Sequence, residues 1–146
     1  MFKNFTPEYK SYLLSAENAA KQQGFSTLES LDIVMEILRS KKGHTFAVFN
    51  DFGINEKVFL DVMTHPKFAP LVNRSGEYTG ISEILRNVIV SSVKVAASFE
   101  KKVIGIEDFL LALIKQNNSW FVDFLDFIRI NVRDFEGELI EVNRAY

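Results

Sequence analysis

The 146-residue sequence lacks cysteine altogether and contains only three prolines. The absence of cysteine excludes a disulfide scaffold, a thiolate metal site and a cysteine nucleophile. Long apolar runs are also missing: the longest spans six residues, 109–114, against the roughly 18 that a membrane span requires. The N-terminal residues form no signal-peptide core. We therefore expect a cytoplasmic protein that does not contact membranes.

A large charge excess is missing as well. Seventeen Lys and Arg residues oppose nineteen Asp and Glu residues, which gives a net charge of −2. This balance argues against a nucleic-acid partner, because such binders neutralise phosphates with many cations. His44 and His65 have no partner at metal-ligand spacing, and no nucleophile–base set or cofactor loop is present. We expect no metal, no cofactor and no enzymatic activity.

Hydrophobic residues make up 47% of the chain and charged residues 25%, as in folded globular domains. The unusual number is the phenylalanine count of fourteen. Half of these fit inward helical positions, whereas the others fall at element ends, in a linker or off the inward stripe. Those others either pack against helix ends or line an exposed peptide-docking groove; they are Phe2, Phe5, Phe25, Phe68, Phe99, Phe121 and Phe127.

Capping residues and apolar spacing predict helices throughout the chain. Thr6-Pro7-Glu8 has a hydroxyl cap, a proline at the first helical position and an acid in the first turn. Ser30 can begin a second helix, a third follows Gly43, and Asn55 can cap a fourth. Strand alternation is almost absent. The pattern predicts an all-α fold.

The pattern then starts again after residues 64–80, which are rich in proline and glycine. An offset of 76 residues aligns 5–60 with 81–136 without a gap. We predict about eight helices in two pseudo-twofold four-helix repeats, 5–63 and 81–141, joined by the linker 64–80 within one domain, 1–146. Six aligned pairs are identical: Ser15/Ser91, Ala20/Ala96, Asp32/Asp108, Ile54/Ile130, Asn55/Asn131 and Phe59/Phe135.

Two motifs carry a family resemblance. Phe5-Thr6-Pro7-Glu8 opens the chain, and the second repeat contains Ile104-Gly105-Ile106-Glu107-Asp108 before a leucine-rich segment. These residues resemble the N-terminal domain of Clp-type AAA+ unfoldases, over roughly residues 5–140. That family has two tandem four-helix repeats, a Phe-Thr pair and an Ile-Gly-Thr-Glu-His motif. This chain departs from the motif in the first repeat, where Leu31 replaces the glutamate.

The resemblance implies a non-catalytic domain that docks protein substrates or adaptor proteins for the Clp ATPase and protease machinery. In some members the motif glutamate receives the guanidinium of a phosphorylated arginine, and a hydroxyl at a helix start holds the phosphate. Carried over, this suggests one site in the second repeat, with Glu107, Ser82, Arg86 and the neighbouring Asp108. The first repeat keeps Thr6 but has lost the acid. We expect that loss to disable one of two sites.

Simpler interpretations remain open for each candidate. Glu107 and Asp108 are also first-turn acids that favour the helix dipole, and Thr6 and Ser82 are also helix caps. The sequence contains no GxxxxGK[ST] phosphate loop. A second hypothesis is therefore a stand-alone accessory protein that binds and stabilises a Clp protease complex.

Overall fold

The computed structural model describes residues 4–145 and is helical, with no extended strand in that range. The first repeat contains four helices, and a one-turn helix lies in the linker. Four more helices form the second repeat. Their bounds are α1 Pro7–Gln22, α2 Ser30–Ser40, α3 His44–Asp51, α4 Glu56–Met63, α5 Ala69–Val72, α6 Glu83–Ser98, α7 Ile106–Lys115, α8 Trp120–Phe127 and α9 Val132–Ala145.

Local capping explains where several helices begin. The hydroxyl of Thr6 accepts a hydrogen bond from the Tyr9 amide at 3.1 Å, and Ser82 does the same for Leu85 at 3.1 Å. Asn55 caps α4 through the Val58 amide at 2.9 Å. These side chains satisfy amides that have no partner inside the helix.

The 76-residue offset holds for the helices themselves. Helices α1 and α6 correspond residue for residue, as do α3 and α8. The fourth helices differ: α4 ends at Met63, whereas α9 runs on to Ala145. The predicted all-α repeat architecture is confirmed, with one additional short helix in the linker. The assignment of 1–146 to a single domain with those repeat limits remains a prediction.

The second helix of each repeat lies deepest in the protein. In α7 every residue from Ile106 to Ile114 is buried except Glu107. Aromatic rings join the repeats around these helices: Phe49 of α3 lies 5.3 Å from Phe135 of α9 and 6.0 Å from Phe121 of α8, between ring centroids. Edge-to-face ring pairs of this kind add to the stability gained from burial. The two repeats therefore share one core.

The exposed phenylalanine groove is not present among the described residues. Phe5, Phe68 and Phe121 are at most 4% exposed, and Phe25 and Phe99 are half-buried against the core. Only Phe127, at 40%, is an exposed phenylalanine in residues 4–145. Phe121 lies off the main inward stripe but is covered because its ring packs against Phe49 of α3 and Phe135 of α9. Phe2 lies outside the described residues.

Candidate functional site

The two repeats exchange short backbone contacts at two places. At the first, which we call the Thr6 junction, residues 4–6 pair with Ile104, just before α7: the Thr6 amide donates to the Ile104 carbonyl at 2.9 Å, and the Ile104 amide donates to the Asn4 carbonyl at 2.9 Å. At the second, the Ser82 junction, residues 80–82 run beside 28–31: the Ser82 amide donates to the Leu28 carbonyl at 3.2 Å. The bridges Phe5–Ile104 and Leu28–Ile81 are both parallel and are related by the 76-residue offset.

This exchange corrects the pairing inferred from the sequence. We expected the hydroxyl and the acid of one site to come from the same repeat, Ser82 with Glu107. The structure instead places Thr6 of the first repeat beside the start of α7, and Ser82 beside the start of α2. The junction that has both a hydroxyl and the motif glutamate is therefore the Thr6 junction. The Ser82 junction has Leu31 at the equivalent position.

Glu107 lies at the edge of the Thr6 junction with a partly exposed carboxylate. Its side chain is 15% exposed, and Oε1 lies 3.7 Å from Nζ of Lys101. The side chain folds back over Gly105, where a Cβ atom would collide with the carboxylate. The small residue before α7 thus leaves room for this conformation of Glu107.

Glu8, in the first turn of α1, adds a second acid near Glu107. Partial burial raises the pKa of Glu8 above its ordinary value, and the negative charge of Glu107 raises it further. His44 and Lys42 act in the opposite direction, with smaller effects. The Thr6 junction therefore combines a helix-cap hydroxyl with three carboxylates, of Glu8, Glu107 and the buried Asp108, which outnumber the ammonium groups of Lys101 and Lys42. Such a site favours a cationic group, and a carboxylate matches the fork of a guanidinium.

Asp108 has an internal role. Its side chain is fully buried and accepts hydrogen bonds from the Gly105 amide at 2.8 Å, from Nδ2 of Asn143 at 2.8 Å and from Nζ of Lys101 at 2.6 Å. Lys101 also donates to the side-chain oxygen of Asn143. Because its side chain is fully buried and its partners are groups of this chain, Asp108 cannot contact a partner protein directly. The family resemblance suggests Asp108 as a binding residue, whereas in the structure it is buried and fixes the start of α7 through the Gly105 amide.

The same network encloses Lys101. Its side chain is only 15% exposed, because α9 extends far enough for Asn143 to reach α7. In the first repeat the corresponding acid is Asp32, which binds Arg74 of the linker through two hydrogen bonds of 2.8 Å. Each repeat therefore caps its second helix with a buried or nearly buried Asp and neutralises it with a cation from elsewhere in the chain.

The Ser82 junction is built differently. Ser82 Oγ donates to Oε1 of Glu29 at 2.6 Å, and Thr27 donates to the other carboxylate oxygen at 2.8 Å. Leu31 is 7% exposed. Arg86 is exposed one turn into α6, and its backbone amide donates to the Ser82 carbonyl at 2.9 Å. The structure does not bring Ser82 and Arg86 together with Glu107.

Lys101, Asn143 and Arg74 take part in the site architecture but were missed at the sequence level. The identity of Asp32 and Asp108 at the 76-residue offset did mark both acids. Nothing local indicated their partners, since Arg74 and Asn143 lie 42 and 35 residues away along the chain.

No cluster of metal-ligating side chains occurs within residues 4–145. Over the same residues, no helix has both the length and the apolar character needed to cross a membrane. The exposed large apolar side chains lie mainly on α1 and α6: Leu14, Ile84, Val90 and Val93.

Comparison with known proteins identifies relatives of this arrangement. The family model for the Clp repeat (R) N-terminal domain matches residues 4–127. A comparison with curated proteins finds no match.

Solved structures with the same fold include three N-terminal domains. That of the caseinolytic protease-associated chaperone ClpD from Arabidopsis thaliana is 12% identical, with a TM-score of 0.73 and coverage of 97% of this chain and 95% of that one. The Hsp104 domain from Candida albicans is 16% identical, with a TM-score of 0.76 and coverage of 99% and 94%. The ClpV N-domain, solved in complex with a VipB peptide, is 10% identical, with a TM-score of 0.75 and coverage of 99% and 89%.

Proposed function

Because the chain belongs to the Clp repeat N-terminal domain family, we propose that it is a recognition domain of a Clp-type AAA+ unfoldase. In this role it docks protein substrates or adaptor proteins for the ATPase ring and performs no chemistry itself. The ClpV N-domain, which has the same fold, binds a VipB peptide. That complex supports a protein partner for this chain.

The observation that carries the proposal is the composition of the Thr6 junction. Thr6 and Glu107 come from different repeats, and the N-terminal segment reaches the start of α7 through the hydrogen bond from the Thr6 amide to the Ile104 carbonyl. Three carboxylates, of Glu8, Glu107 and the enclosed Asp108, outnumber the ammonium groups of Lys101 and Lys42, so a cationic side chain is the best-matched ligand. An arginine of the docked protein, phosphorylated or not, would place its guanidinium on Glu107.

The remaining candidates have supporting roles in this proposal. Ser82 and Arg86 belong to the Ser82 junction, where Leu31 replaces the motif glutamate and the carboxylate of Glu29 already accepts hydrogen bonds from Ser82 and Thr27. We propose that they contribute polar contacts to a docked protein, and that guanidinium binding occurs once, at the Thr6 junction. Asp108 acts through Gly105 and Lys101, which it holds at the start of α7.

The test is a titration followed by amide NMR. Phosphoarginine and an unfolded arginine-containing peptide are each added to the whole chain, and the Thr6 and Glu107 amides are expected to shift. The variant Glu107→Gln should weaken the response strongly, since glutamine lacks the negative charge and the second acceptor oxygen with which a carboxylate pairs with a guanidinium. Glu100→Gln is the matched control, because Glu100 is exposed in the α6–α7 loop and carries the same charge.

Three results would count against this function. The first is the absence of any shift with either ligand or with a candidate adaptor. The second is calorimetry that shows two equivalent sites, which the replacement by Leu31 does not allow. The third is unchanged binding in Glu107→Gln.

A further inference from the structure

The second repeat contains a basic cleft between α6 and α7, away from the residues that form the Thr6 junction. Its volume is about 270 Å³. The floor is apolar and at most 7% exposed, and the rim carries two lysines with amide and hydroxyl groups around them. The floor consists of Val88, Val95 and Ala112, and the rim of Lys94, Lys115, Asn87, Ser91 and Gln116.

In the first repeat, the cation at the equivalent position is neutralised by nearby carboxylates. Arg39 corresponds to Lys115 under the 76-residue offset. Its Nη1 lies 3.0 Å from Glu36, and its Nε lies 3.0 Å from Glu56. The cation at the end of α2 therefore has two carboxylates from its own repeat.

Both carboxylates are absent from the second repeat. The residue equivalent to Glu36 is Ala112, and the residue equivalent to Glu56 is Val132. Neither Lys115 nor Lys94 has a carboxylate within 4.0 Å in the part of the chain that the structure describes. The second repeat thus has a cation, Lys115, at the position of Arg39, but it lacks the two acids that neutralise Arg39 in the first repeat.

The opening of the cleft has its own cause. In the first repeat, the Tyr12 hydroxyl reaches Ser40 across α1 and α2, with an oxygen–oxygen distance of 3.1 Å. Val88 and Gln116 occupy the corresponding positions in the second repeat. Val88 is too short to bridge the two helices, so the space between them stays open to solvent.

We propose that this basic cleft docks an acidic segment of a partner protein, with an Asp or Glu carboxylate between Lys94 and Lys115. The carboxylate neutralises the two lysines, as Glu36 and Glu56 neutralise Arg39. The side chains of Asn87, Ser91 and Gln116 offer further hydrogen bonds. A nucleic acid requires a longer run of cations, and the whole chain has a net charge of −2. The charge and size of the cleft therefore favour a carboxylate side chain.

The test uses two peptides of equal length, one rich in glutamate and one with glutamine in its place, each fluorescently labelled. Anisotropy is measured on the whole chain at low and at high salt. We expect the glutamate peptide to bind more tightly, and its affinity to fall as salt screens the contact. The double variant Lys94→Gln/Lys115→Gln should weaken that binding by about three- to tenfold, as expected for two partly exposed ion pairs.

Two further variants separate the cleft from total charge and from folding. Lys41→Gln/Lys57→Gln removes the same charge from the first repeat and should leave binding unchanged. Val132→Glu restores the equivalent of Glu56 and should weaken binding while both lysines remain. Circular dichroism melting confirms that each variant is folded.

The proposal fails if both peptides bind equally, or if the cleft variant binds the glutamate peptide as well as the unaltered chain does. It also fails if a single-stranded RNA of equal charge binds at the same lysines as tightly as the peptide. Glu107→Gln should leave this binding intact, so failure here and failure of the Thr6 junction can be told apart.

Discussion

Substitution of Asp108 by Asn tests the network that positions the start of α7. The aspartate is fully buried and accepts three hydrogen bonds, from the Gly105 amide, Asn143 and Lys101. An asparagine has one acceptor oxygen in place of two, and its amide group must then face at least one of these donors. The variant also leaves the ammonium group of Lys101 nearly buried without its closest carboxylate.

The magnitude follows from these contacts. Breaking a buried ion pair by removing one partner costs about 3–5 kcal/mol. Glu107 remains 3.7 Å from Lys101 and offsets part of the loss, so we expect Asp108→Asn to lower the free energy of unfolding by about 3 kcal/mol. That is a large share of the 5–15 kcal/mol that holds a typical domain together.

Urea unfolding followed by circular dichroism measures the effect. The double variant Asp108→Asn/Lys101→Met should lose less than the sum of its two single variants, by about 1–3 kcal/mol, because each single variant strands the other charge. Asp126→Asn, an exposed acid on α8, is the control and should change stability by less than about 0.5 kcal/mol. A loss below about 1 kcal/mol for Asp108→Asn, or strict additivity in the double variant, would refute the reasoning.

Two further predictions concern α1. The pKa of Glu8 is raised, chiefly by burial and then by the charge of Glu107. The folded state therefore holds the proton on the Glu8 carboxyl more tightly than the unfolded state does. As a result, the free energy of unfolding falls as pH rises from about 4.5 through the raised pKa. Glu8→Gln should lack that loss, and urea unfolding at several pH values checks it; parallel pH profiles for the two proteins would contradict it. Tyr9→Phe removes a buried hydrogen bond to Ser92 of α6, 3.0 Å long, and should cost about 1 kcal/mol, since Ser92 keeps its bond to the Ile89 carbonyl. An unchanged unfolding midpoint in Tyr9→Phe would show that this contact adds nothing to the packing of α1 on α6.

The crossed junctions have a consequence for binding. Neither repeat alone contains both Thr6 and Glu107, because the first comes from one repeat and the second from the other. The binding of a cationic side chain that we propose at this place would therefore depend on the packing of the two repeats against each other. The shared aromatic core, including Phe49 and Phe135, maintains that packing.

Much of the helical architecture could be predicted from local features. Thr6, Asn55 and Ser82 cap helices where the sequence indicated, since a cap depends on a side chain and an amide three residues apart. The 76-residue offset predicted the correspondence of α1 with α6, because the same apolar spacing recurs in both. The short helix α5 in the linker was missed, since a four-residue element carries almost no periodic signal.

The arrangement of the candidate site was harder to predict from the sequence. Phe121 lies off the helical stripe that faces the core, yet its ring is covered because α8 has neighbours on two sides. Lys101 lies among polar loop residues, and only the long α9 brings Asn143 close enough to enclose it. Both outcomes depend on segments distant in sequence, which no local pattern reports.

The all-α class, the internal repeat, the helix starts and the two motifs that resemble the Clp N-terminal domain follow from the order of the residues alone. These features depend on spacing and capping within a few residues. The position of Thr6 beside the segment that leads into α7, the burial of Asp108 and the cleft lined by Lys94 and Lys115 appear only once the chain is folded. Such contacts join residues far apart in the chain, and they form because two copies of one unit bury their apolar faces against each other.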